Sequence, residues 1–277
     1  MTTPTNVTTG SIDIDGGVTL YFEECGRGDP ILFVHGLWAS SRFFRQQLAD
    51  FGRDHRAVAI DLRGHGRSSM TLSDQTVPTY ARDLETFMDR LGLEQVVGVG
   101  WSMGAFVWWD HFRQFGPARL RGLVVVDQPP TDMRKEDFPD GLISPDALRD
   151  WHYRVQTEQA PFMAEVLPMM FARQPAPSDR AWMVEEMSSA PAVVAAAVLF
   201  DQSTRDYRET LKGYPVPTLV CSGALSHQPR AGSQMIVDSA KSARLRVFEG
   251  CGHSLFHEDS PAFNLAVREF IGTLSRT

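Results

Sequence analysis

The sequence predicts an α/β fold: a mostly parallel sheet flanked by helices, with a helical cap inserted late in the chain. Three observations carry that expectation. Short, nearly continuous apolar runs, the pattern of strands buried on both faces, alternate with helical stretches. One run, Val96 to Val99, leads into Gly100-Trp101-Ser102-Met103-Gly104, and a helical segment rich in large apolar residues follows from Ala105 to Phe115. A serine at a sharp strand-to-helix turn needs neighbours without bulk, and Gly100 and Gly104 supply that clearance. Between Thr131 and about Leu211 the buried-strand runs stop, and short helical pieces punctuated by prolines replace them.

In chain order, Val18 to Glu24 alternates enough for an edge strand, with Ile12 to Ile14 as its hairpin partner across Asp15-Gly16-Gly17. Ile31 to Val34 is the first buried strand and ends in His35-Gly36-Leu37-Trp38. Ser40 and Ser41 can cap a helix through Phe51, after which Ala57 to Ile60 forms a strand ending in the segment Asp61 to Ser68. Thr79 to Leu91 is amphipathic, with Leu84, Phe87, Met88 and Leu91 at helical spacing, and delivers the chain to the Val96 strand. Leu120 to Val126 is a strand ending in Asp127-Gln128-Pro129-Pro130; Pro217 to Cys221 resumes the sheet after the insertion. Pro229 to Ala240 reads as a helix and Leu245 to Phe248 as the last strand, before Gly250-Cys251-Gly252-His253. Ser260-Pro261 opens the closing helix, with serine as N-cap. This divides the chain into a core, 1–130 and 212–277, and a cap, 131–211. In such sheets ligands bind beyond the carboxyl ends of the strands, which collects His35, Asp61, Ser102, Asp127, Ser226 and His253 on one rim.

Composition bounds the function. A hydrophobic content of 43% over 277 residues is ample for one large core. A net charge of -7, from 27 basic and 34 acidic residues, offers no basic surface for nucleic acid or an anionic membrane. No apolar run approaches the ~20 residues of a membrane span. The Thr-rich start, Met1 to Gly10, lacks the order of a signal peptide and reads as a frayed end. Cys25, Cys221 and Cys251 are too few and scattered for a disulfide framework or a zinc site. A soluble cytoplasmic protein acting on a small molecule, with no metal and no cofactor, is the expectation.

His35-Gly36, the Asp61 to Ser68 segment, the Ser102 turn and Gly250-Cys251-Gly252-His253 together make the chain resemble the α/β-hydrolase superfamily. The resemblance covers almost everything but the insertion. It implies a serine nucleophile, an acid and a histidine, and a helical cap after the sixth strand of the core. Ser102 is then the nucleophile and His253 its base, with His257 a local rival. The acid departs from the commonest pattern: the loop after the penultimate strand reads Ser222-Gly223-Ala224-Leu225-Ser226-His227, with no carboxylate. Asp127, one strand earlier, is the alternative placement, held by a rigid Gln128-Pro129-Pro130 turn. Asp201 and Asp206 read as solvated helix residues. The oxyanion hole falls to the backbone N–H groups of Leu37 and Met103. His35 is read as structural, and Asp61, Arg63 and His65 as a buried ion pair and hydrogen bonds that fix a loop. Trp38, Trp101, Gln128 and Phe256 are candidate substrate contacts, and the aromatic and methionine density of the insertion suggests a greasy pocket.

The leading activity is cleavage of an ester or lactone of a small hydrophobic molecule through an acyl-enzyme. A second is cofactor-independent oxygenation of a hydroxyquinolone-like heterocycle, because the superfamily includes dioxygenases that pair a histidine with an aspartate after the sixth strand. Those enzymes carry a histidine in the nucleophile turn, where this chain has Trp101 and Met103. Perhydrolase or haloperoxidase-like chemistry would use the same triad through a peracid, and a non-enzymatic ligand receptor completes the alternatives.

Overall fold

The computed structural model describes residues 7–275; the first six residues of the Thr-rich start lie outside it. The elements in chain order are β1 (Thr8–Ile14), β2 (Val18–Cys25), β3 (Pro30–Val34), α1 (Arg45–Phe51), β4 (Arg56–Ile60), α2 (Val77–Leu91), β5 (Val96–Trp101), α3 (Met103–Phe115) and β6 (Leu120–Val126). Helices α4 (Pro145–Thr157), α5 (Gln159–Val166), α6 (Pro177–Met187), α7 (Ala192–Thr204) and α8 (Arg208–Leu211) follow without an intervening strand. The chain closes with β7 (Thr218–Gly223), α9 (Arg230–Ser239), β8 (Ala243–Phe248), α10 (Leu255–Glu258) and α11 (Ser260–Ile271).

The eight strands form one sheet in the order β1-β2-β4-β3-β5-β6-β7-β8. β1 and β2 are antiparallel and all later pairings are parallel, apart from β2 against β4. The apolar runs are buried because helices cover both faces: Ile31 to Val34, Val96, Val97 and Val99, and Leu123 to Val126 have no exposed surface. Parallel register places the strand ends side by side. Val34 pairs with Ile60 and Gly100, Trp101 with Val126, and Val126 with Cys221, so the loops that follow emerge on one rim.

Three local expectations change. The edge of the sheet is β1, and β2 lies inside it against β4, so the alternation in Val18–Cys25 reflects a half-covered second strand. β1 begins at Thr8 within the stretch expected to fray, because its polar side chains suit an outermost strand whose ladder supplies the order. Asp259, not Ser260, caps α11: its carboxylate accepts from the Ala262 N–H at 3.2 Å, while the Ser260 hydroxyl is turned to Gln47. No single helix among the described residues is long and apolar enough to cross a membrane.

Candidate active site

Ser102 joins β5 to α3 with φ 53 and ψ -124, a sparsely populated backbone region for a residue with a Cβ. The turn is held because its flanks interlock. A Cβ on Gly104 would lie 2.1 Å from the Val34 carbonyl oxygen, and one on Gly100 would lie 2.6 Å from the Ala105 nitrogen. The Ser102 N–H continues the ladder to Val126 O at 3.0 Å. Strain on the order of 1–3 kcal/mol at such a position persists only where packing over-determines it.

The neighbouring loop repeats the device one strand over. Asp127 has φ 53, and its N–H donates to Cys221 O at 2.8 Å. This turns its carboxylate toward the loop after β8, where Oδ2 meets His253 Nδ1 at 2.7 Å. The remaining acceptor capacity is filled by the Gly223 N–H at 3.0 Å on Oδ1 and the Ser226 hydroxyl at 2.5 Å on Oδ2. Ser226 Oγ itself accepts from the Gln228 N–H at 3.0 Å, so its own hydrogen is free for the carboxylate. Asp127 as acceptor places the shared proton on His253 Nδ1 and leaves Nε2 with a lone pair. The histidine loop is anchored from two sides. Glu258 accepts from the Gly252, Ala172 and Arg173 N–H groups, and the Ser254 N–H donates to Met170 O, tying the loop to the segment after α5.

Ser102 and His253 both open onto one mostly apolar cavity with about 690 Å³ of empty space, mouth included. Gly36, Leu37 and Trp38 form another part of its wall. A Cβ on Gly36 would sit 3.0 Å from Ser102 Cβ, so glycine lets this loop approach the serine. His35 fixes the loop: its Nε2 accepts from the Leu62 N–H at 3.0 Å, which leaves Nδ1–H to donate to Gly36 O at 2.8 Å. Complete burial holds its pKa well below the ordinary histidine value, so it stays neutral. Neither the Leu37 nor the Met103 N–H donates to an acceptor among the described residues.

Trp38 lines the cavity with φ 61 and donates its indole N–H to Ala195 O at 3.0 Å, linking the loop to α7. Trp101 also borders the cavity, packed on Phe256 and His253, with its indole N–H on His253 O at 3.2 Å. Two expected substrate contacts are corrected. Phe256 lies behind Trp101, wedged against Phe44 and Phe263, and does not reach the cavity. Gln128 does not line the cavity; it stands behind Asp132, donating to that carboxylate and to the Pro129 carbonyl. The ion pair expected around Asp61 is also re-drawn. Arg63 pairs with Asp83 at 2.5 Å, whereas Asp61 accepts from the Ser41 and Arg67 N–H groups. Asp201 pairs with Arg205 and Asp206 with Lys135 and Arg208, away from the cavity. His257 meets Phe171 edge-on and does not line the cavity.

The insertion supplies Trp151, Met169, Met170 and Met187 to the apolar wall, as its composition suggested. Its polar contribution was missed: Asp132, Gln202 and Ser203, joined by His227 and Gln228 from the loop after β7. His227 packs 4.9 Å from the His253 ring and is pushed down to about 4 by burial and by that neighbour. Its Nδ1 faces Met169 O at 3.0 Å. The one sequence signal for His227 was its place beside Ser226, in the loop already singled out for lacking a carboxylate.

A parallel sheet with a serine on a strained strand-to-helix turn, and a paired histidine and carboxylate at its carboxyl edge, defines an α/β-hydrolase. The chain belongs to the alpha/beta hydrolase family, whose model matches residues 31–266. It is 28% identical over 274 residues to a non-heme chloroperoxidase, CPO-A1, of Kitasatospora aureofaciens, covering 92% of this chain and 96% of that one. Two solved structures share the fold: a bromoperoxidase from Bacillus anthracis (TM-score 0.90, 22% identity, 96% and 100% of the two chains) and an esterase from Exiguobacterium antarcticum (TM-score 0.91, 21% identity, 95% and 99%).

Proposed function

We propose that this protein is a serine hydrolase that cleaves an ester or lactone of a small, largely hydrophobic molecule without a cofactor. The observation that carries the reading is the 2.7 Å pairing of His253 Nδ1 with buried Asp127, beside a cavity onto which Ser102 also opens. A serine hydroxyl is a weak nucleophile until a base takes its proton. His253 Nε2 accepts that proton as Ser102 Oγ bonds to the acyl carbon, and Asp127 stabilises the imidazolium. The carbonyl oxygen becomes an oxyanion held by the Leu37 and Met103 N–H groups. Collapse expels the alcohol with the proton from His253. Water then attacks the acyl-enzyme, giving its proton to His253, and Ser102 recovers it as the acid leaves. Buried, unbridged Cys25, Cys221 and Cys251 support a reducing compartment, the cytoplasm.

Reaction with a fluorophosphonate, followed by intact mass, tests the machinery without knowledge of the substrate. One equivalent should add to the wild type and none to Ser102→Ala. A folded wild type that stays unlabelled refutes the reading. The chloroperoxidase relative favours one second activity: hydrogen peroxide in place of water at the deacylation step would release a peracid, which oxidises halide. Peroxide-dependent halogenation abolished by Ser102→Ala checks it.

A further inference from the structure

Asp132 stands on the cavity wall in the loop after β6, 1% exposed, and no arginine or lysine pairs with it among the described residues. Its two oxygens each accept from a glutamine amide: Gln128 Nε2 at 2.6 Å and Gln202 Nε2 at 2.7 Å. Because an ionised carboxylate only accepts, it fixes both amides with their nitrogens toward it and their oxygens away. Gln202 Oε1, turned away from Asp132 in this way, has no hydrogen-bond partner, and neither has Gln228 Oε1, which Asp132 does not orient; the two residues are only 5% and 9% exposed and border the same cavity as Asp132. One corner of this mostly apolar pocket therefore carries a carboxylate with unused acceptor capacity on its wall, backed by two enclosed glutamine oxygens that have no donor. Buried acceptors without partners are costly, and a ligand that supplies the missing hydrogens recovers that cost on binding.

We infer that Asp132, with Gln202 and Gln228, forms a subsite for a hydrogen-bond donor, a hydroxyl or N–H group, carried on the otherwise hydrophobic substrate of the Ser102 reaction. The subsite rests on the serine hydrolase reading for its reaction but not for its chemistry of recognition. Burial raises the Asp132 carboxyl to about 6, so the group is chiefly ionised at neutral pH and accepts strongly. An apolar analogue of the same shape would leave this acceptor capacity unused. A hydrogen bond to a charged group corresponds to roughly 10- to 100-fold in affinity.

Two probe series decide it: linear alkyl fluorophosphonates from propyl to octyl, ending in a methyl group or in a hydroxymethyl group. Rates of Ser102 labelling are compared at each length. At the length that reaches Asp132 the hydroxyl probe should react about 10- to 100-fold faster than its methyl isostere. The ratio should fall to one or below in Asp132→Leu, and Gln202→Leu should lower it if the first variant does not fold. Methyl probes that react as fast as or faster than hydroxyl probes at every length in the wild type overturn the subsite and leave the nucleophile intact. Labelling by neither series overturns both readings.

Discussion

A carboxylate kept in an apolar wall without a cation should cost the fold stability, and Asp132→Asn measures how much. The folded-state value of about 6 lies roughly two units above the ordinary 3.8, because burial outweighs the two amide donors and the nearby His253 charge. The folded chain therefore holds a proton on Asp132 that the unfolded chain has released between about pH 4 and 6, so stability falls as pH rises through that window. At about 1.4 kcal/mol per unit the cost approaches 3 kcal/mol above pH 7 and vanishes below pH 4. Asparagine is neutral throughout and keeps the shell paired, since its Oδ1 accepts from one glutamine and the other can rotate to offer its orphan oxygen. Buried His35 and His65 and half-buried His227 push the opposite way, their depressed values making the chain gain stability as pH rises toward neutrality. Those terms are common to both proteins and cancel in the difference. Urea unfolding followed by tryptophan fluorescence, from about pH 4 to 8, should show the variant gaining on the wild type by about 3 kcal/mol across the range. A difference constant to within about 0.5 kcal/mol would refute the argument, whatever its absolute size.

Asp127→Asn should leave the melting temperature nearly unchanged but lower turnover of an activated ester by about 10⁴-fold, since an amide here stabilises the wrong histidine tautomer. Turnover equal to wild type would remove Asp127 from the mechanism. Ser226→Asp, which looks from sequence like a return to the commoner placement of the acid, should instead force two carboxylates together where a hydroxyl now donates at 2.5 Å. One must hold a proton to persist, so the variant should lose about 2 kcal/mol more stability at pH 8 than at pH 5 by urea unfolding. Gly104→Ala should cost about 3 kcal/mol or prevent folding, because the new methyl meets the Val34 carbonyl oxygen at 2.1 Å; thermal melting checks it.

Most of the sheet was legible because strands buried on both faces must be apolar along their length, and Ile31 to Val34, Val96 to Val99 and Leu123 to Val126 have no polar alternative. β1 was legible only in part, since an outermost strand is ordered by its ladder and its Thr-Thr-Gly-Ser run carries no hydrophobic signal. The polar lining of the cavity was hidden for another reason. Asp132, Gln202 and Gln228 come from separate elements, and no spacing connects them until the insertion folds over the rim. Gln128 shows the limit of arguing from adjacency, because its side chain stands behind Asp132 and supports the cavity wall instead of lining it.

The position of the Asp127 carboxylate follows from sheet order. β6 and β7 are neighbours with Val126 opposite Cys221, so a side chain leaving the end of either strand starts from nearly the same point on the rim. His253 arrives from the loop after β8, beyond β7, and the carboxylate must cross the end of β7 to meet it. Asp127 makes that crossing because its own N–H still pairs with Cys221 O while its positive φ swings the side chain over the strand end. The Gly223 N–H then receives it where β7 finishes, and Ser226 donates from the position where a carboxylate would otherwise stand. Asp127 and Ser226 are thus one arrangement, in which a carboxylate at the end of β6 paired with His253 requires a donor, not a second acceptor, in the loop after β7.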